Sequence, residues 1–311
     1  MNNRVATAGL VAFLVVDVAL VALALRSGQN TSQALPPVST TRTSDLTTSP
    51  SSSPTKSPTK GTTPPAVKAV PVTRLVSALD AATAWRARTG ACDTGGATLE
   101  VTADGGQTWT KLRSPAPALV RVQPLDETRA FVIGAGRDCV VKQYASRDAG
   151  ATWQAPTAVS GGWARRLDEP TQVLTPQEPA ATPCGEAVVV DLSRTSAAQA
   201  QSLCADGSVV VTDDGGTTWS ESGDAPGAVA LSNLLVDNTL TTYAVRMVSA
   251  CKGVQLVKVV KGSNADVIAC VPVANPVRGT VGLSVTERAA WIIAGSQTWT
   301  SQRDLTSWKR V

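Results

Sequence analysis

Histidine is absent from all 311 residues, and aromatic side chains make up only 4% of them. Without imidazole the commonest general base is gone, and with it the Ser-His-Asp route to nucleophilic catalysis. The six cysteines form no CxxC pair, which together with the missing histidines argues against a zinc site. The alternating acids and distal glutamate of an EF-hand are missing too, so no calcium loop is expected. No cofactor of any other kind is indicated. Charge of one sign is also scarce where it would matter. Residues 1–69 hold six of the 28 basic and two of the 24 acidic residues, so residues 70–311 balance 22 against 22. A domain with no basic excess is not built for a phosphate backbone, and no nucleic-acid partner is expected.

Long apolar runs are confined to one place. Residues 5–25 read "VATAGLVAFLVVDVALVALAL", interrupted only by Thr7 and Asp17. At about 1.5 Å per residue the run just crosses a hydrocarbon core of about 30 Å, so residues 1–26 are read as a single transmembrane anchor. The alternative is a cleaved signal peptide, since Ala22-Leu23-Ala24 has the small-x-small form that a signal peptidase accepts. Asp17 costs about 2.5–3.5 kcal/mol at mid-membrane on the insertion scale and is read as a tolerated, protonated or paired residue. Arg4 lies before the run and Arg26 after it; with the amino terminus this favours the N-terminus inside and the bulk of the chain extracytoplasmic. Residues 27–69 are mostly Ser, Thr and Pro and cannot bury a core, so they read as an extended, disordered linker.

The cysteines, Cys92, Cys139, Cys184, Cys204, Cys251 and Cys270, all fall beyond the linker. An even count in an exported domain suggests disulfides. Six allow fifteen pairings; proximity in sequence favours Cys184–Cys204 and Cys251–Cys270, which leaves Cys92–Cys139.

What the chain has in plenty is repetition. "TADGGQTW" (102–109), "SRDAGATW" (146–153) and "TDDGGTTW" (212–219) share Ser/Thr-x-Asp-x-Gly-x-Thr-Trp, and a worn copy, "SQRDLTSW", spans 301–308 with Arg303 at the Asp position and Leu305 at the Gly position. The first two copies lie 44 residues apart, a spacing typical of a four-stranded propeller blade. Upstream of the copies, short apolar strands end in turn acids at Asp80, Asp126, Asp168, Asp191, Asp237 and Glu287. Asp168 and Asp191 are too close for a full blade, so one unit is truncated or inserted. Val-, Thr- and Ala-rich alternation between Gly, Asp and Pro turns predicts an all-β domain over 70–311, a propeller of five to six four-stranded blades.

The octads resemble the Asp-box, or BNR, repeats of sialidases and related propellers. The fuller unit, with "FVIG" at 131–134 upstream of an octad such as "TDDGGTTW", is similar to the propellers of photosystem II stability and assembly factors and their bacterial relatives. That resemblance covers roughly residues 70–311; it implies the fold and leaves the task open. On its own chemistry the octad is a turn. Asp104, Asp148 and Asp214 can accept backbone N–H groups within their loops. Gly106, Gly150 and Gly216 supply positive φ, and Trp109, Trp153 and Trp219 cover the turns.

Sialidase-like catalysis implies a Tyr–Glu nucleophile, an acid–base Asp and three substrate-gripping arginines. Only Tyr144 and Tyr243 are available, and neither lies in such a context; no catalytic residue is assigned. When the second strands are aligned on their aromatics, Arg88 and Arg246 replace Gly134 and Ala294. An arginine at a position that suits small residues points to an acidic or anionic partner, with Arg86, Arg165 and Arg166 extending the patch, or else to arginines paired with acids of neighbouring blades. The sequence is thus that of a membrane-tethered propeller acting as a non-catalytic binding or assembly scaffold, its partner a protein or glycan of the cell envelope. The alternative is a propeller glycoside hydrolase or carbohydrate-binding module.

Overall fold

The computed structural model describes residues 70–159 and 161–311. The expected anchor, 1–26, and linker, 27–69, lie outside the described residues. Among the described residues there is no α-helix. The first blade is β1 (Arg74–Ala78), β2 (Ala84–Arg88), β3 (Thr98–Thr102) and β4 (Thr110–Leu112), and the second is β5 (Ala118–Pro124), β6 (Ala130–Ala135), β7 (Val141–Ser146) and β8 (Thr157–Ala158). A short unit follows, with only β9 (Ala164–Arg165) and β10 (Val173–Leu174). The third blade is β11 (Val189–Arg194), β12 (Ala200–Cys204), β13 (Ser208–Thr212) and β14 (Ser220–Asp224). The fourth is β15 (Ala228–Val236), β16 (Thr239–Arg246), β17 (Val254–Lys258) and β18 (Asp266–Val271); the fifth is β19 (Val281–Val285), β20 (Ala289–Ala294), β21 (Gln297–Gln302) and β22 (Trp308–Arg310).

Each blade is an antiparallel meander in chain order. The first strands form the inner ring: β1 touches β5 and β19, β9 sits between β5 and β11, and β15 lies between β11 and β19. The ring therefore holds five four-stranded blades and one two-stranded hairpin, which occupies the truncated position that the spacing of the turn acids announced. The terminal blades are each complete, so no strand is shared at closure. The ring is shut by packing of β1 on β19 and by Ala78 N–H donating to Ser284 Oγ at 3.0 Å. Val, Ile, Leu and Trp from facing sheets fill the seams, with Leu99, Leu119, Ile133, Leu203, Leu256 and Trp291 fully buried.

Two turn assignments are corrected. Asp191 is not at a hairpin turn; it lies within β11, and the β11–β12 turn is held by Ser196, whose Oγ accepts the N–H groups of Ala198 and Gln199. A Ser is a weaker sequence signal than an Asp for the same job. In the fifth blade Thr286, not Glu287, caps the turn, with Oγ1 accepting from Arg288 and Ala289.

Candidate ligand-binding channel

A meander puts the first–second and third–fourth turns on one face and the second–third loops on the other. The octads occupy the first of these faces. The Asp104 carboxylate accepts Thr102 Oγ1 at 2.7 Å, Thr108 N–H at 2.9 Å and Thr108 Oγ1 at 2.5 Å. Asp148 binds Ser146 Oγ, Thr152 N–H and Thr152 Oγ1 in the same way, and Asp214 binds Thr212 Oγ1, Thr218 N–H and Thr218 Oγ1. These bonds favour the charged form. They lower the Asp104 pKa to about 2, the Thr108 bonds first, and hold Asp148 and Asp214 below their ordinary value through Thr152 and Thr218. Acids engaged in this way have little left for chemistry.

Each octad also locks onto the preceding unit. Trp109 stands edge-on to Trp291, Trp153 to Trp85 and Trp219 to Trp163, with ring centroids 5.9–6.3 Å apart. The octad glycines lie at the point of closest approach. A Cβ on Gly150 would sit 2.6 Å from Trp85, one on Gly216 2.5 Å from Thr175 and one on Gly106 2.9 Å from Val311, each at positive φ.

The opposite face carries the disulfides. Cys92–Cys139 joins the β2–β3 loop to the β6–β7 loop across the first two blades. Cys184–Cys204 ties the segment before β11 to the end of β12, and Cys251–Cys270 closes within the fourth blade.

Between the faces runs a central channel lined by the inner strands, with a cavity of about 230 Å³. One mouth is stoppered. Val72 is 3% exposed, its N–H donates to Val190 O at 2.9 Å, and its carbonyl accepts Arg165 Nη2 at 2.5 Å. Thr73 N–H donates to Gly279 O at 2.7 Å. The other mouth faces the octad side and is ringed by Ser77, Gln123, Arg194, Asn233 and Ser284. Four lining residues are cationic, Arg74, Arg121, Arg165 and Arg194, and the acid among them is Asp191. Asp191 belongs to the stoppered half, where it accepts Leu192 and Leu231 N–H groups. Burial pushes its pKa up and Arg165 works against that shift. Burial lowers the pKa of Arg165, with Asp191 opposing.

Arg121 and Arg194 flank the short unit. Arg121 donates to Gln123 Oε1 at 2.9 Å and lies over Phe131, 5.2 Å from its centroid. Phe131 has the place of Trp85 in its blade, and the unit after it has no octad to supply a tryptophan. Arg194, the last residue of β11, has its Nε buried without a hydrogen-bond partner among the described residues, and burial lowers its pKa.

The arginines singled out in sequence are not brought together. Arg86 donates to Glu100 at 2.7 Å and to Thr298, and stacks 4.0 Å over Trp109. Arg88 is exposed and donates to Gly96 O at 2.6 Å. Arg246, in the fourth blade, donates to Gln255 Oε1 at 2.7 Å. Arg166 pairs with Asp168. Arg165 alone of that set lines the channel. Arg74 is the cross-strand partner of Arg88; burial, then repulsion from Arg88 and Arg86, lowers its pKa. Sequence reasoning passed over Arg74, Arg121 and Arg194, although one arginine in the inner strand of four of the six units was there to be seen.

No protein-family profile and no curated protein matches the chain. Among solved structures, a fucose-specific lectin from Aleuria aurantia superposes with a TM-score of 0.50 at 10% identity, over 77% of this chain and 95% of the lectin. YCF48 bound to a D1 peptide gives 0.29 at 17% identity, over 79% of this chain and 69% of that one. An arabinanase from Bacillus subtilis gives 0.37 at 8% identity, over 74% and 89%. The lectin superposition shows the class, an all-β propeller; identities this low carry no ligand across.

Proposed function

We propose that the chain is a non-catalytic binding or assembly module of the cell envelope, engaging a partner protein at the octad-side mouth of its channel. On this reading residues 1–26 anchor the domain in the membrane and residues 27–69 space it from the surface, on the extracytoplasmic side. Three disulfides support an oxidising compartment. The observation that carries the binding reading is Arg194. A guanidinium nitrogen buried at the rim of a polar cavity, with no partner among the described protein atoms, is a donor held ready for a ligand or a water of that cavity. Arg121, Gln123, Asn233 and Ser284 stand round the same mouth as further donors, and the octad acids are held in their own loops.

Membrane extracts passed over the tagged full chain test this. The wild type is expected to retain a defined envelope partner, and Arg194→Gln with Arg121→Gln to bind that partner about tenfold more weakly or worse, in line with loss of hydrogen bonds to charged groups. Unchanged capture by the double variant removes the channel from the reading. Saturable binding or turnover of a saccharide, with no protein partner, establishes the carbohydrate alternative instead.

A further inference from the structure

The worn octad keeps its backbone and loses its staple. Leu305 takes φ 57°, where Gly216 takes 97°, and Trp308 Nε1 donates to Leu305 O at 2.9 Å as Trp219 does to Gly216 O at 3.1 Å. Arg303 stands in the place of the acid, and Asp304, one residue on, accepts Thr306 Oγ1. Facing this turn is the longest inner hairpin, β15 with nine residues and β16 with eight. Its tip, Asp237–Asn238, has two consecutive left-handed residues, at φ 47° and 60°, the geometry of a type I′ turn. Leu235 and Val236 beside that tip are 40% and 37% exposed. Between hairpin and turn lies a groove of about 380 Å³ with Leu234, Tyr243 and Leu305 in its lining, Arg288 and Arg303 as its cations and Glu287 as the acid among the lining residues.

The hairpin cannot fill this groove itself. Ser232 bonds Val285 of the fifth blade, whereas Asn233 bonds Ser193 of the third. With a two-residue period, Leu234 and Val236 face the groove and Leu235 faces away. The tip thus offers an uncovered leucine with an acid two residues on, and the groove beside it offers an apolar floor with two guanidinium groups against one carboxylate, Glu287.

We infer that the groove receives the hairpin tip of a second copy of this chain, Leu235 on the apolar floor and Asp237 against Arg288 and Arg303. Tip and groove adjoin, so one two-fold axis satisfies both contacts at once and closes the assembly at a dimer. The contact is small, which makes the dimer weak and concentration-dependent. It does not depend on what the channel binds.

Sedimentation velocity on the full chain in detergent, over a concentration series, tests it. The wild type is expected to show a monomer–dimer equilibrium. Asp237→Lys, and separately Arg288→Glu with Arg303→Glu, each weaken it about tenfold or more through like-charge contacts. An equimolar mixture of the two variants restores it, because both contacts of the mixed dimer again pair opposite charges; this also controls for folding. Leu235→Ser weakens association without touching the turn. A wild type that stays monomeric at its highest soluble concentration overturns the inference. So does association indifferent to every variant, or a mixture no tighter than its parents.

Discussion

Asp104, Asp148 and Asp214 show how a carboxylate becomes part of a backbone. Each is bonded by its own loop, and the bonds lower its folded pKa below that of the unfolded chain. A depressed acid stabilises the fold above its unfolded pKa, and that contribution is lost as pH falls through the folded value. For Asp104 the window runs from the ordinary 3.8 down to about 2. Near-ultraviolet circular dichroism of the tryptophan pairs should hold above pH 4 and decline across that window. Asp104→Asn should flatten the dependence, and an unchanged acid titration in that variant would show that the carboxylate does not hold the turn. At Gly150, φ 85° and the 2.6 Å approach to Trp85 act together. Gly150→Ala should cost about 2–4 kcal/mol in urea unfolding, strain and overpacking combined. Gly185→Ala, at φ 61° with open space around it, should lose only the strain, about 1 kcal/mol. Equal losses at the two sites would sink the packing argument.

Blades here are joined by aromatic pairs on the octad face and, between the first and second blades, by the Cys92–Cys139 disulfide on the other. The sequence disclosed half of this. The aromatics at 85, 131, 243 and 291 could be aligned as one strand position, and the octad tryptophans as another, but nothing local says that the two meet across a seam. Trp163 was missed because its unit has no octad to mark it; it still stacks on Trp219 and donates to Ser196 O at 3.0 Å, doing for the short unit what Trp291 does for the fifth blade. On the other face, Cys92–Cys139 spans 47 residues against 20 and 19 for the other two bonds. In the chain-entropy picture its removal costs about 4 kcal/mol and theirs about 3.3 each. Paired Cys→Ser variants compared by urea midpoint check the order, and a larger loss for either short bond would reverse it.

At the scale of the whole molecule, fold and site were unequally visible. Repetition exposed the fold, because a turn of fixed chemistry recurs in three of the five blades and, worn, in a fourth. The channel did not show, because its walls are inner strands whose arginines look like ordinary strand punctuation. Arg88 and Arg246 stood out by alignment, yet alignment compares second strands, one layer away from the channel. Arg194 becomes conspicuous only when burial and the lack of a partner are known.

The stopper has one more consequence. Residues before 70 join the propeller through Val70–Thr73, where hydrogen bonds reach Val190, Gly279, Thr89 and Arg165. A pull on that end is therefore shared at once by the first, third and fifth blades and the short unit. No single sheet takes the load alone, so a force applied here is resisted by four of the six units before it can peel a strand from any blade.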